Sequence, residues 1–189
     1  MTTNRLNSFT DGVIAIIITI MVLELPVPKQ PGMAALKPEL FLFGAYALSF
    51  VKVGIYWSNH HHMLQAVKRI NGRVLWANLF LLFWLSLVPF VMRWIGEAGV
   101  TRDTVFAFGV IMLLCAISYS VLKRTLIGAD GPDSRVATAT GNDAKGRLSI
   151  VAYIAAICLA LVSPLAAILI YMAVAAMWLI PDRRFEGLD

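Results

Sequence analysis

The sequence has little charge for its length. Only 14% of the 189 residues are Asp, Glu, Lys or Arg, whereas soluble domains usually carry about 25%. Hydrophobic residues make up 59% of the chain, and the mean hydropathy is +0.77. This composition excludes an ordinary soluble domain and indicates an integral membrane protein. The net charge of +5 therefore bears on membrane topology, and we expect no nucleic-acid partner.

Cysteine is also scarce, and the spacing of metal-binding residues is wrong for a metal site. Cys115 and Cys158 both lie in apolar stretches, so we expect buried, reduced thiols and no disulfide. The three histidines, His60, His61 and His62, are consecutive. Consecutive helical residues point about 100° apart, so three adjacent imidazoles do not readily share one ion. We therefore expect no metal and no organic cofactor.

Six apolar segments account for most of the chain. We predict an all-α protein with a single six-helix domain over residues 1–189. Pro89 is a candidate kink in the third segment, and Thr101 and Asp103 are candidate caps of the fourth. The last two segments are shorter than the roughly 20 residues of a usual spanning helix. The predicted helices are about 5–25, 38–62, 74–95, 103–126, 148–162 and 165–180.

Basic residues are distributed unequally between the predicted loops. Six spans place both termini on one side, and that side carries eleven Lys and Arg residues against four on the other. By the positive-inside rule, both termini are predicted to be cytoplasmic. The remaining basic residue, Lys52, lies inside the second segment. We find no internal sequence repeat, which argues against the two inverted halves of many transporters.

The first segment has two distinct faces. At about 100° per residue, one stripe carries Ile16, Thr19, Ile20 and Leu23. Asp11 points about 140° away from Ile16. Periodicity alone leaves two interpretations open for each feature. Ile and Leu occur on every face of a membrane helix, and a threonine within a helix often bonds its own carbonyl. Asp11 either caps the helix or faces a partner within the bundle.

The stretch RLNSFTDGVIAIIITIMVLE resembles a known signature. It is similar to the Arg-x-x-x-Phe-Ser-Asp motif that opens the first helix of the endolysosomal potassium channel family (transmembrane protein 175 family), in particular of its prokaryotic members. Arg5, Phe9 and Asp11 match that motif, and Thr10 replaces its serine while keeping the hydroxyl. The six segments, and a second segment that ends in Trp57 and the histidines, agree with the family's plan. Animal members carry two six-helix repeats, whereas this chain has one.

The resemblance implies a homotetramer whose pore is lined by four copies of the first helix. It implies that Ile16, Ile20 and Leu23 form an apolar constriction and that Thr19 forms a ring of hydroxyls associated with cation selectivity. No segment similar to the carbonyl filter TVGYG occurs in the sequence. Apolar rings can gate a pore by dewetting. Four hydroxyls offer weak ligation, so the preference for potassium over sodium is expected to be modest.

The family pattern also implies a network behind the pore. In it, Trp57 and either His60 or His61 join Arg5 and Asp11, together with the motif residues Phe9 and Thr10, to brace the first helix against the second. Arg5 and Asp11 lie about 120° apart around the helix, so a third group between them is simpler than a direct pair. A histidine there would make gating sensitive to cytosolic pH. Lys52 either snorkels to the interface or pairs with an acid or carbonyl within the bundle.

Together these features favour a homotetrameric, potassium-permeable cation channel in a prokaryotic plasma membrane. Its partners would be membrane lipid and monovalent cations, with potassium in the pore, and it would not be an enzyme. The alternatives are a proton- or cation-coupled transporter that uses Asp11, Lys52 and a histidine, and a proton leak through the same pore. An intramembrane metalloenzyme that uses the histidines is a further rival.

Overall fold

A computed structural model describes residues 2–179 of the chain, and these residues form helices with no β-strand. The prediction of an all-α protein is confirmed. A short 3-10 helix, Met33–Glu39, precedes the second α-helix. The α-helices are α1 Thr3–Leu23, α2 Leu40–Gln65, α3 Gly72–Ser86, α4 Val88–Ala98, α5 Arg102–Asp130, α6 Arg135–Thr140, α7 Ala144–Ala160 and α8 Pro164–Leu179.

The helices differ from the sequence-based ones by one division and one additional helix. The predicted helix over 74–95 is divided at Leu87 into α3 and α4, and Pro89 lies in the first turn of α4, where its missing N–H costs no hydrogen bond. The polar loop after α5 contains the short helix α6, whose first turn is capped by the Ser134 hydroxyl. The last predicted residue of the sixth segment, 180, lies outside the described residues.

Four stretches are long and apolar enough to span a membrane. They are Thr3–Leu23, Met33–Gln65, Gly72–Ala98 and Arg102–Asp130. Helix α8 is apolar but has only 16 residues, and α7 has 17. The length criterion therefore supports four spans, and the count of six remains a prediction.

Helix α5 lies at the centre of the bundle. It packs against α3 and α4 on one side and against α7 and α8 on the other, while α1 packs against α2, α3 and α4. Thr101 caps α5 as predicted, because its hydroxyl accepts a hydrogen bond from the Thr104 amide at 3.2 Å. Where α5 meets α8, the Tyr171 hydroxyl donates to the Val105 carbonyl at 3.2 Å, and Gly109 leaves the space that this phenol fills.

The two cysteines have different environments. Cys115 is buried in α5 as predicted, but Cys158 is exposed, so the predicted burial of Cys158 is wrong. Cys158 lies on the outer face of α7 together with Ile154, and Leu161, directly after the helix, is also exposed. An apolar surface that faces outward from the bundle suits a small hydrophobic thiol as well as the interior does.

Candidate functional site

Helix α1 is buried on one side only. Its inward face packs on α2, α3 and α4 through Leu6, Thr10, Ile14, Ile17 and Met21. The opposite face carries the predicted stripe, and its members are exposed in the single chain: Ile16 is 58% exposed, Ile20 40% and Leu23 79%. The stripe is therefore part of the α1 surface that the other described residues leave uncovered.

Thr19 lies on this exposed face. Its hydroxyl contacts two carbonyl oxygens of its own helix, that of Ala15 at 3.0 Å and that of Ile16 at 2.9 Å. The hydroxyl hydrogen is thus directed back to the helix, as is common for a threonine within a helix. The lone pairs of Oγ1 remain turned outward. Because cations are bound by oxygen lone pairs, this orientation lets the Thr19 oxygen act as a ligand for a cation.

Asp11 is held by neutral donors from two directions. Trp57 of α2 donates its indole Nε1–H to Asp11 Oδ1 at 2.8 Å. Asn7, one turn before Asp11, donates from Nδ2 to Oδ2 at 3.3 Å. The same Asn7 nitrogen lies 3.1 Å from His61 Nδ1, and the His61 ring stacks on Trp57 with centroids 6.0 Å apart. We call Asn7, Asp11, Trp57 and His61 the outer branch.

A second, fully buried set of contacts joins three helices. Asn78 of α3 donates from Nδ2 to the Thr10 hydroxyl of α1 at 2.9 Å. Its Oδ1 lies 2.7 Å from His60 Nε2 of α2. Because a carbonyl oxygen only accepts, His60 carries its proton on Nε2 in this arrangement. We call Thr10, Asn78 and His60 the inner branch; all three side chains are buried.

The structure brings together five of the seven residues predicted for the network. The two branches link α1, α2 and α3 through five of the predicted side chains: Thr10, Asp11, Trp57, His60 and His61. Both histidines take part. The other two, Arg5 and Phe9, are exposed. Arg5 makes no hydrogen bond or ion pair with another residue in the described part of the chain. Among the described residues, the outer branch therefore binds the Asp11 carboxylate without a cation.

Sequence reasoning missed two members of the network, Asn7 and Asn78. Asn78 is the one strongly polar side chain in the apolar stretch VLWANLFLLF, and that isolation was the available signal, since a buried amide requires partners. Asn7 precedes Asp11 by four residues, a spacing that places both on one side of the helix.

The histidines do not converge on a metal position. His60 faces α3, His61 faces α1, and His62 packs edge-on against the His61 ring at a centroid distance of 6.0 Å. Within residues 2–179, no group of three His, Cys, Asp or Glu side chains is placed to hold an ion.

Lys52 adopts neither of its two expected arrangements. Its side chain is buried, with the residue only 4% exposed, so it does not snorkel. Its ammonium donates to the Tyr153 hydroxyl of α7 at 2.9 Å rather than to an acid or a carbonyl. Lys52 thus faces α7, away from the two branches around α1.

The fold and the site define an all-helical membrane protein with one exposed apolar helix face, braced from behind by polar side chains. A model of the family "Endosomal/lysosomal potassium channel TMEM175" matches residues 5–89. A potassium channel of Chryseobacterium sp. (strain P1-3) is 47% identical over 186 residues, which cover 98% of this chain and 97% of the relative. The chain belongs to the TMEM175 family, and the resemblance seen in the first helix is confirmed.

Two further similarities extend over much of the chain. A potassium channel of Chamaesiphon minutus (strain ATCC 27169 / PCC 6605) is 30% identical over 137 residues, which cover 68% of each protein. The crystal structure of a lysosomal potassium-selective channel TMEM175 homolog from Chamaesiphon minutus matches with a TM-score of 0.73 at 25% identity, covering 95% of this chain and 97% of that one. The similarity in fold thus extends well beyond the residues 5–89 that match the family model.

The inner branch should contribute more to stability than the outer branch. Asn78→Ala leaves Thr10 and His60 without their buried partner, and we expect a loss of about 1–3 kcal/mol for each buried group left unpaired. Asn7→Ala, the matched control, alters a partly buried bond and should cost about 1 kcal/mol or less. Unfolding of the purified variants in detergent measures both; an Asn78→Ala variant as stable as Asn7→Ala would contradict this ranking.

Proposed function

We propose that this chain forms a potassium-permeable cation channel. The proposal is supported by full-length similarity to a Chryseobacterium protein named as a potassium channel and by the fold shared with a potassium-selective channel homolog. Flux is passive and follows the ion gradient and the membrane potential. The protein needs no organic cofactor and carries out no chemistry.

The observation that carries the proposal is the uncovered face of α1. Ile16, Ile20 and Leu23 are spaced at i, i+4 and i+7 and stay exposed although α1 is packed on three other helices. We propose that four copies of the chain close around an axis, so that these faces line a pore. The three side chains then span about 10 Å of its length, from the rise of 1.5 Å per residue.

Such a pore combines two physical elements. The apolar rings of Ile16, Ile20 and Leu23 disfavour water and so form a constriction that gates by dewetting. Thr19 lies between them, and its outward lone pairs supply a ring of four weak oxygen ligands. These oxygens replace only part of a cation's hydration shell. The pore therefore prefers potassium over sodium modestly, without a carbonyl filter.

The two branches set the rotation of α1 in this arrangement. The outer branch holds Asp11 against Trp57, and the inner branch holds Thr10 through Asn78, so both fix the side of α1 opposite the stripe. Arg5 and Phe9 are exposed in the single chain. We propose that they meet neighbouring copies in the tetramer.

The proposed membrane arrangement has six spans. The four long stretches are four of these spans. The other two are α7 and α8, a shorter pair that packs against α5 and against each other. Both termini lie in the cytoplasm, and the protein resides in a prokaryotic plasma membrane. Of the basic residues that support this orientation, Arg183 and Arg184 lie outside the described residues.

Reconstitution tests the function and the role of Thr19 together. We expect purified protein in planar bilayers to give unitary currents, which a coupled transporter does not produce. Under bi-ionic potassium and sodium conditions, the reversal potential should show a modest potassium preference. Thr19→Val keeps the shape but removes the oxygen, so the reversal potential should move toward that of a non-selective pore. Absence of unitary current would contradict the channel, and an unchanged reversal potential would contradict the threonine ring.

A polar side chain in the constriction should ease its hydration. Leu23→Asn is expected to raise the unitary conductance or the open probability several-fold, because an amide favours water where the leucine excludes it. Leu79→Asn on α3 is the matched control, since Leu79 is also exposed in the single chain but lies outside the stripe. Equal effects of the two substitutions on the current would contradict a constriction at Leu23.

A further inference from the structure

A small cavity lies within the single chain, on the side of α2 that faces away from α1. Lys52 and Trp57 are about 140° apart on α2, so the helix holds Asp11 with one face and lines this cavity with another. Residues of α2, α5, α7 and α8 enclose a volume of ≈ 40 Å³. We call this space the Lys52 cavity, because Lys52 lies in its wall.

The wall carries two lysines, and within the described part of the chain one of them has a counter-ion and the other has none. Lys123 is buried and forms an ion pair with Asp143. Lys52 is equally buried, but its ammonium meets only the neutral Tyr153 hydroxyl at 2.9 Å and lies 5.1 Å from the centre of that ring. Within residues 2–179, no carboxylate lies within ion-pair distance of Lys52. An unpaired ammonium in such a place is costly.

Two hydroxyls of the wall, those of Tyr56 and Tyr153, have hydrogens free to face the cavity. The Tyr153 oxygen accepts from Lys52, which leaves its own O–H free to donate. Tyr56 also lines the cavity, and its hydroxyl makes no hydrogen bond to the described residues. Lys52 itself has three N–H groups and uses one of them on Tyr153. The charge and the free donors therefore point to an anion.

We propose that the Lys52 cavity binds one small monovalent anion of chloride size, held by the Lys52 ammonium and the hydroxyls of Tyr56 and Tyr153. The cavity volume of ≈ 40 Å³ is above the roughly 10–15 Å³ that a cavity needs to hold one water. That space admits an anion of halide size. The anion neutralises Lys52 and connects α2 to α7. The site does not depend on conduction through the pore.

Unfolding in matched salts tests the proposal independently of any current. Purified protein in detergent is heated in potassium chloride and in potassium gluconate at equal concentrations, so that only the anion differs. An anion that binds only the folded state stabilises it by RT ln(1 + [anion]/Kd). We expect the melting temperature to rise with the logarithm of the chloride concentration once that concentration exceeds Kd. Bromide should substitute for chloride, whereas the much larger gluconate should stabilise the protein less. A wild-type protein with no chloride-dependent rise would overturn the proposal.

Two variants and a control separate the site from a general salt effect. Lys52→Met should lose the chloride-dependent rise and be at least as stable as the wild type in gluconate, because it removes a buried charge. Tyr153→Phe should raise the chloride concentration needed for a given rise in melting temperature roughly fivefold. Lys37→Met, at an exposed position, should behave like the wild type. A chloride-dependent rise of wild-type size in Lys52→Met would overturn the site.

If Lys52→Met does not fold, anomalous diffraction from bound bromide tests the anion site directly. Wild-type crystals grown in bromide should show an anomalous peak within hydrogen-bond distance of Lys52 Nζ. Bromide peaks elsewhere with none beside Lys52 would overturn the proposal.

Discussion

The hydrogen bond from Asn78 to the Thr10 hydroxyl fixes helix α1 to the rest of the chain. It is buried, and it continues through Asn78 Oδ1 to His60, so one amide joins α1, α3 and α2. In a protein built mostly from apolar helices, apolar contacts alone specify rotation weakly, because Ile and Leu pack acceptably in many orientations. A buried amide with both ends satisfied tolerates few alternatives. The rotation of α1, and with it the direction of Ile16, follows from this constraint.

The Asp11 carboxylate adds a second constraint on α1, nearer the surface of the chain than the Asn78 hydrogen bonds. Within residues 2–179, Trp57 and Asn7 bind it without a cation, so oriented N–H dipoles stabilise its charge. On the far side of α2, Lys52 meets the Tyr153 hydroxyl and, among the same residues, no carboxylate. Helix α2 thus lies between Asp11 and Lys52, and neutral hydrogen-bonding groups accommodate each of them.

Much of this arrangement could be predicted from the sequence, and the exceptions have physical causes. Hydropathy located the apolar segments, because length and composition alone decide which stretches suit a membrane. The helix is divided at Leu87 rather than kinked at Pro89, because a proline is accommodated in the first turn of a new helix. The family signature indicates Asp11 and the wider family pattern indicates Trp57, but the role of Asn78 depends on which helices become neighbours. That information is tertiary, and one sequence does not contain it.

The central claim is that the exposed face of α1 meets water, and chemical modification of a cysteine tests it most directly. In a background where the exposed Cys158 is replaced by alanine, Leu23→Cys and Leu79→Cys each place one new thiol on an exposed helix face. Charged thiol reagents react with thiolates in water. We predict that such a reagent blocks the current of Leu23→Cys and leaves Leu79→Cys unchanged. Continued current through fully modified Leu23→Cys would contradict the account.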